Sequence, residues 1–358
     1  MKIAENKIRI LRFTIAAAFL MIASPLHESG RTPSDSAIDM YNFSGRTLIC
    51  GIDLGDDMKG GHGLETGLAY EMMKDFAIAH NCTIRIVTGY GSMDYMTELK
   101  DGSIDMVLIH HEDADEKEGI LLSDNVLQCA ALAVTQGKEG HIREINEWIS
   151  VYTSSEEFEA KTKLFIRPFN PIRRAEKGII AETVSPYDDL FRQYAEELGW
   201  DWRMLAAVVY QESKFSICSR SHRGATGLMQ VMPQTAAYYD ITDLTDPQQN
   251  LIAGTSHLRR LQNLYKDCDM APEERIKFTL AAYNAGEGRI MDCRNLAKAR
   301  HLNENKWSDI VKVIPMMSDD SILTDEAVRL GKFKGTETMA YVDNVMALYE
   351  AICTISPR

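Results

Sequence analysis

The sequence predicts two domains of different class, an α/β layer followed by an all-α half. Three observations carry this. The chain has 358 residues, more than one ordinary core holds and comfortable for two. In the first half, short apolar or β-branched runs at 47–53 (TLICGID), 83–88 (TIRIVT), 104–109 (IDMVLI) and 128–135 (QCAALAVT) alternate with helical stretches at 65–80 and 92–100. That order is the signature of an α/β layer with a mostly parallel sheet. From Ser185 onward every periodic stretch is helical.

Taken in order, the chain opens on Lys2, Lys7, Arg9 and Arg12, then the apolar run Phe13 to Ala23 and a polar stretch from His27 to Asp39. A basic region followed by an apolar run too short to span a bilayer comfortably reads as an export signal over 1–26, with an uncleaved anchor as the alternative. Residues 27–43 form a linker and 44–165 the α/β domain, whose last segment, 141–161, is helical, with a helix at 141–152, and ends in charges. The stretch 162–186 carries three prolines and no sustained period; it contains a second linker at 166–184. The helical domain spans 185–354. Ser185-Pro186 supplies an N-cap and a first-turn proline for helix 187–198, closed by Gly199. Asp201 caps the next helix and Asp246-Pro247 starts another that reaches about Lys266. Further helices are expected at 272–284, 286–299, 308–314 and 338–353.

A composition of 45% hydrophobic and 25% charged residues is that of a soluble globular protein. The net charge of −13 argues against a nucleic-acid partner, because phosphate binding needs clustered Lys and Arg. The acidity is concentrated: residues 44–165 hold 10 Lys and Arg against 22 Asp and Glu, which reads as a well-solvated face. Seven cysteines lie in no C-x-x-C spacing, so neither a zinc nor a redox motif is indicated. Cys268 and Cys293 flank a predicted helix–turn–helix and form the candidate disulfide in an exported protein. His110-His-Glu-Asp113, with Asp115 and Glu116, resembles a metal site in composition. Adjacent histidines on a strand point to opposite faces, which favours a solvated acidic loop instead.

The candidate for chemistry is Glu212. In helix 202–212, Leu205, Val208 and Val209 recur at i, i+3 and i+4, and Glu212 shares their face, four residues beyond Val208. A carboxyl group there is desolvated and also faces the negative end of the helix dipole; both effects keep its proton on and make it a general acid. A lone Glu at a helix end is ordinarily solvated or salt-bridged. Three features that follow it change that reading. Phe215 follows three residues on. The loop His222 to Pro233 contains Gly224 and Gly227, which permit tight backbone near a ligand, and Pro233 opens a short helix. Ala282-Tyr-Asn-Ala-Gly286 places an aromatic and an amide at a helix C-terminus, where Gly286 takes the αL conformation.

Glu212-Ser213, Gly227-Leu-Met-Gln230, Ala282-Tyr-Asn284 and Glu337-Thr-Met-Ala-Tyr341, in this order, resemble the motifs of the soluble lytic murein transglycosylase family, whose catalytic domain has a lysozyme-like fold. The resemblance covers about 185–352. It implies that Glu212 is the sole acid and base and that Ser213 helps orient it. It further implies that Met229 and Gln230 contact an N-acetylated sugar, that Tyr283 and Asn284 sit beside the scissile bond, and that Tyr341 approaches the acid from the last helix. Each has a plainer reading: core for Met229 and Tyr283, a loop cap for Gln230, a helix-end residue for Asn284, a backbone bond for Ser213.

No acid follows Gln230 until Asp240, where a goose-type lysozyme would be expected to supply aspartates. Ordinary glycosidases use two carboxylates, so the missing acid favours a single-carboxylate mechanism; the transglycosylase resemblance then implies cleavage of the glycan strand to a 1,6-anhydromuramoyl end, with no metal or cofactor required. The rival expectations are a goose-type hydrolase and a non-catalytic envelope sensor. The front half resembles the first lobe of a periplasmic solute-binding protein through Thr47 to Leu54, Gly67 to Met73, Leu99 to Met106 and Leu122-Ser-Asp124. A lobe of that kind ahead of this catalytic domain is similar to the layout of the membrane-bound lytic murein transglycosylase F family. Two departures stand out: no second lobe fits between 128–135 and 141, and Glu116 occupies the position of the usual carboxylate-binding arginine. The lobe is therefore expected to dock on or regulate the enzyme. Whether its partner is an envelope protein or a muropeptide stays open, as does peripheral membrane association.

Overall fold

The computed structural model describes residues 43–54, 63–87, 94–110, 119–127, 130–166 and 169–357. The N-terminal signal, most of the acidic loop after His110, Glu116 and Cys129 lie outside them. Residues Phe43–Arg358 form one compact unit.

The front region runs β1 (Thr47–Asp53), α1 (Gly63–Ala79), β2 (Thr83–Val87), α2 (Tyr95–Asp101), β3 (Met106–His110), β4 (Ile120–Leu127), β5 (Ala130–Thr135), α3 (Glu139–Tyr152) and α4 (Glu156–Phe165). The strands make one sheet in the order β2-β1-β3-β5-β4. β1 pairs in parallel with β2 and β3, whereas β5 is antiparallel to both β3 and β4. The sheet is thus mixed, not mostly parallel: two residues join β4 to β5, too few for the crossover that a parallel pair requires. Side chains alternate across it. Leu48, Cys50 and Ile52 of β1 enter the large core with α1 and α3, while Val107 and Ile109 of β3 pack on Tyr95, Met96 and Leu99 of α2.

One expectation about the junction changes. The helical segment expected over 141–161 comprises two helices, the first ending at Tyr152 and the second started by Ser155, which is extended and whose hydroxyl accepts the Phe158 amide. The stretch read as a linker contains α5 (Pro171–Glu176), capped by Asn170 and opened by its proline. Beyond it the Ala181 amide donates to the Ile355 carbonyl, fastening this segment to the last helix.

The helical half follows as α6 (Asp188–Leu198), α7 (Trp202–Ser213), α8 (Pro233–Tyr238), α9 (Pro247–Asn263), α10 (Pro272–Ala285), α11 (Glu287–Ala299), α12 (Trp307–Val313), two 3₁₀ turns at 314–318 and 320–324, and α13 (Thr336–Ile355). Gly199 closes α6 at φ 67°, and Asp201 caps α7. α7 is central: every residue from Arg203 to Val209 is buried, a wider apolar surface than the stripe its spacing suggests. A single hydrophobic cluster runs from the sheet face through Phe165, Val184 and Tyr187 into α6, α7, α9, α10 and α13.

Candidate active site

The buried length of α7 fixes where its last turn emerges, and Glu212 sits in that turn, half-buried. Burial pushes its carboxyl from 4.5 up to about 7, and the hydroxyl of Tyr341, donating to Oε1 at 2.6 Å, offsets this only in part. No charged neighbour contributes to the shift. At neutral pH the group is therefore poised to give a proton and to take one back.

The chain leaves the acid through a strained turn. Lys214 and Phe215 both adopt left-handed backbone, at φ 56° and 69°, a region that costs a non-glycine residue roughly 1–2 kcal/mol. The turn is held by its surroundings: Phe215 is fully buried, the Lys214 ammonium lies 4.3 Å from the centre of the Tyr210 ring, and Ser213 Oγ donates to the Leu228 carbonyl at 2.8 Å.

That last bond joins α7 to the loop carrying Gly227 to Gln230. The loop folds on itself through bridges of Thr226 with Arg220 and Val231. Gly227, at φ 79°, is required there: a Cβ would stand 2.1 Å from Asn250 Nδ2 and 2.3 Å from the Leu244 carbonyl oxygen. Asn250, buried on α9, holds the loop by accepting the Met229 amide at 2.8 Å and donating to the Thr226 and Leu244 carbonyls at 2.9 and 2.8 Å. From α10, Tyr283 Oη donates to the Met229 carbonyl at 2.7 Å, and from α13, Thr338 Oγ1 donates to Asn284 Oδ1 at 2.8 Å. Gly286 serves both as the C-cap of α10 and the N-cap of α11 at φ 92° and ψ 140°. This is not the αL geometry expected, but it is equally a glycine conformation. Burial and the nearby Glu212 charge both push the Tyr283 and Tyr341 phenols up, so each stays a neutral donor.

The seven sequence-derived site residues lie on the elements that meet here, and the contacts of Ser213, Met229 and Gln230 differ from those expected. Tyr341 touches the acid. Tyr283, half-buried, and Asn284, exposed, border it. Met229 does not face a ligand: its side chain is fully buried against Gly254, where a Cβ would meet its sulfur at 2.3 Å. Ser213, also buried, bonds backbone carbonyls rather than the carboxyl group it was expected to orient. Gln230 adopts φ 48°, and its Nε2 donates to the Ser219 and Gly227 carbonyls, so it caps the loop. Sequence reasoning missed Asn250 and Thr338. An Asn among Leu251, Gly254, Leu258 and Leu261 was a usable signal, since a polar group on a buried face must satisfy its hydrogen bonds within the fold.

Elsewhere one expectation falls. Cys268 and Cys293 are separate free thiols; Cys268 Sγ instead meets Arg294 Nη2 at 3.3 Å, and burial pushes the Cys293 thiol up to about 12. His110 donates to the Leu54 carbonyl at 3.0 Å, and no group of potential metal ligands is found among the described residues.

Comparison with known proteins bears on the same stretch of chain. The family model of the transglycosylase SLT domain matches residues 189–307. That match covers α6 to the start of α12, including Glu212, Gln230 and Tyr283. Curated relatives named membrane-bound lytic murein transglycosylase F include one from Desulfosudis oleivorans, 29% identical over 233 residues, which is 63% of this chain and 50% of the relative. Another, from Alcanivorax borkumensis, is 36% identical over 46% of this chain and 35% of its own length. The chain thus spans half or less of these relatives. Among solved structures, the 70 kDa soluble lytic transglycosylase of Escherichia coli aligns over 72% of this chain and 40% of its own, at 21% identity and a TM-score of 0.33. The chain is thus similar in its helical half to the SLT domain, and this half follows a mixed α/β region.

Proposed function

We propose that this chain is a peptidoglycan lytic transglycosylase in which Glu212 alone acts as acid and then as base. The observation that carries the proposal is a half-buried carboxyl held at about 7, bonded to one phenol and shifted by no neighbouring charge, where the SLT-domain helices meet. Protonated Glu212 donates to the oxygen of the β-1,4 bond between N-acetylmuramic acid and N-acetylglucosamine. That C–O bond breaks, and an oxocarbenium-like centre forms at C1. The Glu212 carboxylate then takes the proton of the C6 hydroxyl, and O6 bonds to C1 to close a 1,6-anhydro ring. A pKa near the working pH suits both transfers. Tyr283, Asn284, Gln230 and Tyr341 border the path of the glycan strand, whose hydroxyl and N-acetyl groups such phenols and amides recognise.

The front region is read as a single reduced lobe of the solute-binding type. Support comes from the Leu99 to Met106 turn, where Gly102 caps α2 at φ 82° and Asp105 Oδ2 accepts the Ile49 amide at 2.9 Å, tying the turn to β1. On this reading the domains are 44–165 and 185–354. The cell envelope is the proposed location, by analogy with relatives named membrane-bound; no helix among the described residues is long and apolar enough to cross a membrane.

The test is digestion of purified sacculi with the wild type and Glu212→Gln, read by mass spectrometry. Anhydromuramoyl ends from the wild type and none from the variant are expected. Reducing N-acetylmuramic acid ends instead would make the protein a hydrolase, and equal release by both would remove Glu212 from the chemistry.

A further inference from the structure

α1 of the front region touches the helical half on both sides of the site. Thr66, Gly67 and Tyr70 share one face of this helix at i, i+1 and i+4. Thr66 Oγ1 lies 3.5 Å from Ser216 Oγ, both buried, immediately beyond the left-handed turn that follows Glu212. Tyr70 Oη donates to Asp246 Oδ2 at 3.0 Å. Between them Gly67 sets the approach, because a Cβ there would stand 2.7 Å from both Tyr187 Oη and Phe165 Cε1. Any side chain at 67 would lift α1 away from Tyr187.

Asp246 connects this contact to the catalytic loop. Its Oδ1 accepts the Gln249 amide at 2.8 Å, capping α9, and its carbonyl accepts the Asn250 amide at 2.9 Å. Asn250 is the side chain that holds Thr226, Met229 and Leu244. The route from Tyr70 to the loop thus runs through bonds of 3.0 Å or less. Gly227 leaves no slack at its far end.

We propose that Tyr70 is a positioning residue for the Gly227–Gln230 loop, and that the α/β region serves the site as a fixed brace. The core is continuous across the two regions, the Thr66–Ser216 contact is buried and the Tyr70–Asp246 bond is partly so; α1 therefore cannot move without disturbing Asp246. Burial, and then the Asp246 charge, keep the Tyr70 phenol protonated, so the bond persists across the working pH range. Its catalytic consequence rests on the transglycosylase reading; its structural consequence does not.

α1 supplies its own control. On its other side Tyr152 Oη donates to Asp75 Oδ2 at 2.5 Å, a tyrosine–aspartate bond of the same kind confined to the front region. The experiment compares the full chain with Tyr70→Phe and Tyr152→Phe by hydrogen exchange over residues 226–231 and by kcat/KM for muropeptide release. Tyr70→Phe should speed exchange at the Met229 amide at least tenfold and lower kcat/KM three- to tenfold, with the pH profile of Glu212 unmoved. Tyr152→Phe should change neither by more than about twofold, although it too removes a part-buried tyrosine–aspartate bond. If Tyr70→Phe does not fold, Asp246→Asn, which keeps a capping oxygen for Gln249, reads the same bond from the other side. Equal effects of the two tyrosine variants, or unchanged exchange in Tyr70→Phe, would overturn the proposal. A wild type that releases no muropeptide would overturn the enzyme reading and leave exchange to decide the brace.

Discussion

The front region and the helical half each contain a tyrosine hydroxyl bonded to a helical carboxyl group, Tyr152 to Asp75 at 2.5 Å and Tyr341 to Glu212 at 2.6 Å. The bonds are alike and the sites are not. Asp75 also receives the Lys161 ammonium, itself shared with Glu157 at 3.1 Å, so its charge is balanced inside the fold. Glu212 has a phenol and no contributing charge, and burial decides its protonation. A buried carboxyl given a cation is a structural tie; the same group given only a neutral donor keeps its proton to neutral pH and becomes reactive.

The comparison breaks most readily on the two carboxyls. Glu212→Gln should lower the release of anhydromuropeptides by about 10²- to 10⁴-fold, while Asp75→Asn should stay within about threefold and instead lower stability by about 1–2 kcal/mol in urea unfolding. A large rate loss from Asp75→Asn would erase the distinction. Next in size, Tyr341→Phe removes the one bond that lowers the Glu212 pKa. The basic limb of the pH–rate profile should move upward and the rate at its optimum fall about tenfold; a downward move would show that the phenol does not stabilise the carboxylate.

Stability carries the same asymmetry. The folded protein retains on Glu212 a proton that the unfolded chain releases between 4.5 and about 7. This group's contribution therefore falls as pH rises through that window. Relative to Glu212→Gln, the wild type should lose about 2 kcal/mol of unfolding free energy between pH 4 and pH 8. A constant difference would mean that burial does not govern the group. The smallest effect belongs to Met229→Leu: a volume-conserving change in a buried site should cost less than about 1.5 kcal/mol and leave KM within about twofold, whereas a sugar contact would raise KM.

Local signals in the sequence located the acid. Asp201, the apolar run after it and the ordered motifs placed Glu212 at the exposed end of a buried helix, because capping and periodicity act within one or two turns. What escaped depends on contacts between distant segments. Met229 in a Gly-rich loop gives no sign that Gly254, twenty-five residues on, makes room for its side chain. Thr338 has no local signal for Asn284. In the front region the strand pattern was legible but the direction of pairing was not, since the short β4–β5 connection fixes it rather than either strand.

The left-handed pair after the acid bears on how this protein would respond to selection for heat resistance. Glycine or asparagine at position 214 would relieve backbone strain, since Lys214 stands at φ 56°. The Lys214 ammonium, however, lies over the Tyr210 ring and helps fix the turn that follows Glu212. On the proposed function, variants chosen for thermal tolerance alone should therefore accumulate at 214 and turn over more slowly, placing the trade between endurance and turnover two residues from the proposed acid.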